Sequence, residues 1–172
     1  METALLVGCL IPSLSAIYTD LKYRKIYNKL TYPLFLAGIG YALYTNTLMT
    51  ALAGAAFAFV VFVVCGFMAG IGGGDIKLAT ALGAWFGFPS ILYVMAIGCF
   101  LGAVWGIYRL HRYKKLASRM RILFRGLWLR FWYGAKGTII IPQLPEDGTI
   151  PPEAVPFGVP LVMAAWIVAA IL

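Results

Sequence analysis

The chain has 172 residues, of which 62% are hydrophobic and only 12% charged, and it carries a net charge of +8. A soluble domain of this size is about a quarter charged, so there is too little polar surface to coat a water-soluble globule. The composition predicts one integral membrane domain spanning residues 1–172. A basic balance in a soluble protein would point to nucleic acid; here the positions of the charges give a different reason for it.

About 20 apolar residues cross a bilayer, and the chain offers six candidate spans. The first, Thr3 to Thr19, has Glu2 before it instead of a basic region, so it reads as a retained span and not a cleaved signal peptide. It leads into "TDLKYRKIYNKLT", which holds Asp20, Lys22, Arg24, Lys25 and Lys29. Leu30 to Tyr44 and Ala51 to Ile71 follow, then the glycine-rich "GIGGGD" ending in Asp75. Ile76 to Phe88 and Ser90 to Tyr108 are read as two spans: one helix over both would run roughly 50 Å, and Gly87, Phe88 and Pro89 break it in the middle. The sixth is Glu153 to Leu172. The expected fold is therefore all-α, a polytopic membrane bundle of six helices.

With six spans, all 14 Lys and Arg fall on one side: four between spans one and two, Lys77 at the start of span four, and nine from Arg109 to Lys136. The loops on the other side, Thr45 to Thr50 and Phe88 to Pro89, carry none. By the positive-inside rule the basic side is the cytoplasm, both termini are periplasmic, and the charge calls for no nucleic acid. From Arg109 to Tyr133, Leu110, Tyr113, Ala117, Met120, Phe124, Leu127 and Phe131 recur at helical spacing, with Arg112, Lys115, Arg119 and Arg125 off that stripe. This part of the 109–152 loop reads as a basic amphipathic helix on anionic lipid headgroups. A Pro- and Gly-rich stretch, "IPQLPEDGTIPPEAVPFGVP", leads into the last span.

Cys9, Cys65 and Cys99 are scattered through apolar runs with no CxxC pair, which supports neither a zinc site nor a disulfide framework. They read as small packing residues, as do Gly66/Gly70 and Gly102/Gly106 at small-xxx-small spacing. "GIGGGDIK" lacks the GK[ST] ending of a phosphate loop. Among the acidic residues only Asp20 and Asp75 stand at the basic ends of spans, at one expected membrane depth. Two close carboxylates do not both ionise readily, so such a pair can activate water with one member and protonate a leaving amine with the other. The plainer readings are that Asp20 is an interfacial residue pairing with Lys22 or Arg24, and that Lys77 neutralises Asp75 or reaches to the interface. A membrane carrier relaying protons through the two aspartates is the alternative from another functional class.

"GIGGGDIKLATALGAWFG" resembles the GxGD signature of the type IV prepilin peptidases. "DLKYRKIYNKLT" resembles their first-aspartate motif, in which Ile-Pro-Asn follows the Asp by six to eight residues, and "PFGVPL" from Pro156 resembles a third motif at the start of the last helix. The resemblance implies a membrane aspartic endopeptidase with Asp20 and Asp75 as catalytic residues and no metal or organic cofactor. It further implies contact with substrate through Gly72, Gly73, Gly74, Lys77 and Asn28, and removal of leaders from prepilin-like precursors at the cytoplasmic face of the bacterial inner membrane. One departure is Tyr27, which stands where the family has proline. The chain resembles the short, Flp/Tad-type form, which trims without N-methylating. An archaeal preflagellin peptidase, with the same chemistry on another filament, and a catalytically silent pilus assembly factor stay open beside it.

Overall fold

The computed structural model describes residues 2–69, 72–114, 120, 121, 124, 125, 128, 132 and 156–171. Every regular element among them is helical. The chain opens with α1 (Glu2–Leu5), a π-helical turn (Leu6–Leu10) and α2 (Ile11–Tyr23) in one continuous run. Pro12 explains the wide turn: it has no N–H for the carbonyl of Gly8, and the Ile11 N–H bonds back five residues to Leu6. Then come α3 (Asn28–Tyr44), α4 (Leu48–Ala69), α5 (Gly73–Phe86), α6 (Ser90–Arg112) and α7 (Gly158–Ile171).

These helices match the six expected apolar segments one for one, with the break between α5 and α6 where Gly87 adopts φ +65°, a conformation open to glycine at no steric cost. Two of them, over Leu48–Gly66 and Ser90–Arg112, are long and apolar enough to cross a membrane. The last helix begins at Gly158 instead of Glu153 and is shorter than a full span, because Pro156 and Phe157 form a turn ahead of it.

Two compact units emerge: residues 1–102 with 156–172, and residues 103–155. In the first, α5 is the hub. It is buried almost all round from Leu78 to Trp85 and packs chiefly against α4 and α3, as expected of a helix apolar on every face. Gly54 on α4 and Gly83 on α5 set that closeness: a Cβ on either would lie 2.5 Å from the other's carbonyl oxygen. The tightest crossing thus uses this pair, whereas Gly102 takes the ring of Phe157 against it; Gly70 lies outside the described residues. Trp85 locks α5 to its other neighbours. Its indole N–H donates to the Leu34 carbonyl at 2.8 Å, its ring stacks on Tyr41 with centroids 5.5 Å apart, and the bare backbones of Gly8 and Gly38 face it. An indole N–H in an apolar interior needs such a partner.

In the second unit, Met120, Phe124, Trp128 and Trp132, four residues apart, are helical and exposed, with the Trp128 and Trp132 rings 6.0 Å apart. Arg121 and Arg125 are exposed beside them. Ala117, Leu127 and Phe131 of the expected stripe, with Lys115 and Arg119, lie outside the described residues, as do Glu146, Asp147 and Glu153. Of the cysteines, Cys9 is buried, Cys65 half-buried and Cys99 exposed, so only the first is a core residue.

Candidate active site

Three segments distant in sequence build one site. The first is the end of α2. Arg24 closes that helix in the left-handed region (φ 53°, ψ 31°), its N–H bonded to the Asp20 carbonyl at 3.0 Å. For a non-glycine residue this conformation costs roughly 1 kcal/mol or more. The left-handed residue turns the chain sharply, and Arg24 to Tyr27 line the site before α3 begins. Tyr27 is the N-cap of α3, with φ −79° and ψ 139°. That φ lies within the range of a proline ring, so the family's proline and this chain's tyrosine suit the same backbone.

The second segment is the glycine run. Gly72 is extended at the N-cap of α5, and its carbonyl accepts from the Asp75 N–H at 3.0 Å. A Cβ on Gly74 would come 2.9 Å from the Cβ of Ile26, while one on Gly73 would meet nothing within 4 Å. Gly74 therefore lets the two segments touch, and Gly73 leaves open space beside Asp75. The third segment is the start of α7. A Cβ on Gly158 would lie 2.8 Å from Oδ2 of Asp20 and 2.9 Å from Cδ1 of Ile26.

Asp20, Arg24, Lys25, Ile26, Tyr27, Asn28, Gly72, Gly73, Gly74 and Asp75 line one pocket of about 380 Å³. Six of the seven residues singled out from the sequence are therefore brought together. The seventh, Lys77, stands behind the wall: its ammonium donates to Oδ1 of Asn28 at 2.7 Å and lies 5.5 Å from the centroid of the Tyr32 ring. It does not form an ion pair with Asp75. Lys22 likewise turns away, donating to the Tyr18 hydroxyl at 3.0 Å. Asp20 is not an exposed interfacial residue, since only 6% of its surface is accessible.

Both carboxylates lie just outside the apolar stretches Thr3 to Thr19 and Ile76 to Phe88. Burial, and then the charge of Asp20, push Asp75 up to about 7. Burial raises Asp20 as well, opposed by the Gly158 backbone N–H, the Arg24 charge and the Val159 backbone N–H. Oδ2 of Asp20 is buried with no hydrogen-bond partner of sound geometry among the described residues, and Asp75 is half-buried. Such an unsatisfied oxygen is costly in a core but useful where a water must be taken up. Sequence reasoning missed the part played by Gly158 and Ile26. The "PFGVPL" motif pointed to the first, but nothing in its spacing told that it would meet Asp20.

A second cavity, of about 550 Å³, lies where the α3–α4 and α5–α6 connections meet, lined among others by Tyr41, Thr45, Thr50, Trp85 and Ser90. It contains neither aspartate, and its lining is uncharged.

A sequence profile of the type IV leader peptidase family matches residues 6–107, which include both aspartates and the glycine run. The chain is 30% identical over 175 residues to a prepilin leader peptidase/N-methyltransferase of Xanthomonas campestris pv. campestris, covering 96% of this chain and 48% of that protein. It is 34% identical over 115 residues to prepilin peptidase EppA of Methanocaldococcus jannaschii, covering 59% of this chain and 32% of that protein. The chain thus spans about half the length of the first relative and a third of the second. No solved structure matches it. The chain belongs to the type IV leader peptidase family.

Proposed function

We propose that this protein is a membrane aspartic endopeptidase that removes the leader of prepilin-like precursors, with Asp20 and Asp75 as its catalytic pair. The observation that carries the reading is that these two carboxylates, 55 positions apart in the chain, line a single pocket floored by Gly72 to Gly74. Both relatives named above are prepilin peptidases, and the family's motifs fall on these residues. In the reaction one carboxylate accepts a proton from water as the water oxygen bonds to the scissile carbonyl carbon. The protonated partner gives its proton to the carbonyl oxygen. As the tetrahedral intermediate collapses, the C–N bond breaks, the amine nitrogen takes the proton drawn from water, and the second carboxyl recovers its own. The open backbone at Gly73 gives an extended substrate room to approach, and Asn28, held by Lys77, is placed to hydrogen-bond it.

The same reading includes a six-span topology with the pocket at the cytoplasmic side and both termini periplasmic. It rests on the one-sided distribution of Lys and Arg. Family membership does not favour a proton carrier. An archaeal filament protein as substrate would leave the chemistry unchanged.

The test is co-expression with a prepilin-like precursor and mass measurement of the product. Wild type should release the leader as one fragment ending just before the substrate's apolar helix. Asp20→Asn and Asp75→Asn should each abolish release, and the double variant should be no worse than either single one, because the pair acts as a unit. A stably inserted single variant that still cleaves at an appreciable rate would overturn the reading. The same spectra show whether the new N-terminus is methylated, the second activity named for the Xanthomonas relative.

A further inference from the structure

The pair is not symmetric. Asp20 is only 6% exposed, and a carboxylate so deeply buried loses its charge unless something compensates. Such groups gather at Asp20. The backbone N–H groups of Gly158 and Val159, the first residues of the 14-residue α7, lie against it although neither reaches Oδ2 in hydrogen-bond geometry, and the Arg24 charge adds to them. These amides belong to the first turn of a helix, where N–H groups have no intrahelical acceptor and the helix dipole favours an anion. Asp75, in the first turn of α5, has the dipole of its own helix but receives no side-chain hydrogen bond among the described residues, and it faces the charge of Asp20. Lys25 lines the pocket, and the ammonium of Lys77 is bonded to Asn28. Glycine at 158 lets α7 come this close without displacing the carboxylate, since a Cβ there would sit 2.8 Å from Oδ2 of Asp20.

We infer that the N-terminal turn of α7 holds the negative charge of the pair on Asp20, which makes Asp20 the base that activates water and Asp75 the acid, with Gly158 as the positioning residue. This rests on the aspartic peptidase reading above. Gly158 touches no substrate atom in this scheme; it acts through Asp20.

The experiment has two arms. In the first, Gly158→Ala is compared with wild type for cleavage across pH, with Gly40→Ala as control, because a Cβ on Gly40 would meet nothing within 4 Å. Gly158→Ala should lower kcat by about tenfold or more with KM little changed, and should move the acidic limb of the profile upward by about one pH unit. An unchanged profile, or fewer folded molecules with an unshifted limb, would overturn the inference. The second arm needs no cleavage. In the Asp75→Asn background, infrared titration of the carboxyl band, assigned by its loss in Asp20→Asn, reads Asp20 alone. Adding Gly158→Ala should raise the pH at which that band appears, and a band that does not move would overturn the inference. If Gly158→Ala does not insert, Val159→Pro serves in both arms: proline is accepted in a helix's first turn and removes the Val159 amide donor, its ring Cδ taking the place of that hydrogen. An infrared shift in the Asp75→Asn background together with a wild type that cleaves no prepilin would sink the peptidase reading and leave the charge assignment standing.

Discussion

In the proposed mechanism, two carboxyls of one pocket hold one proton between them, which makes a narrow device. Asp75 keeps its proton up to about pH 7, so cleavage should decline as pH rises past that value, where the second proton leaves the pair. It should also decline in acid, when the ionised member is protonated, and both limbs belong to the pair and not to either residue. Cleavage that keeps rising above pH 8 or so would contradict an acid of this kind. Tyr27 offers a second test at this scale. Its φ of −79° already suits proline, so Tyr27→Pro should leave cleavage intact and raise stability by about 0.4–1 kcal/mol through the unfolded chain. Loss of stability on thermal unfolding in detergent would show that the loop from Arg24 needs the tyrosine N–H or ring.

Helix against helix, the fold depends on bare backbone. Gly83→Val would drive a branched side chain into the Gly54 carbonyl, against which even a Cβ would lie at 2.5 Å. Overpacking of this kind typically costs about 1–3 kcal/mol, and here the obstacle is backbone that cannot rotate away. The variant should therefore unfold at lower temperature and lose activity without any shift of the pH limbs. Trp85→Phe is the milder partner: it forfeits the hydrogen bond to Leu34, a loss of about 0.5–1.5 kcal/mol, since that carbonyl lies inside α3 and keeps its helical partner. Measured together, the two separate crowding from a lost hydrogen bond. A change in the pH limbs in either would mean that α5 transmits strain along its length to Asp75.

For the molecule as a whole, the apolar segments and both aspartates were legible in the sequence. Segment length, the Gly87–Pro89 break and the basic residues follow rules with a period or a sign. The pairing of Gly54 with Gly83 was not, because close approach is a property of two helices and a glycine on one names no partner on the other. The role of Gly158 was hidden for the same reason. Of the readings open for Lys77, the ion pair with Asp75 is not made, because the fold supplies Asn28 from across the loop. The proposed six-span topology makes a direct prediction. A cytoplasmic-type reporter fused near Gly134 should be active and a periplasmic-type one silent, since the inverted arrangement exports nine basic residues. Activity of the periplasmic type there would overturn the proposed orientation.

The meeting of Gly158 with Asp20 also bears on how the protein is made. Residues 20 and 75 emerge from the ribosome long before residue 158, and until the last helix is in place Asp20 lacks a wall of its site. On the proposed reading, a nascent chain paused anywhere before α7 should be inert, and the arrival of α7 completes the site. Expressing residues 1–155 alone should give an inserted but silent protein, and supplying residues 156–172 as a separate segment should restore cleavage to the degree that the two halves find each other in the bilayer.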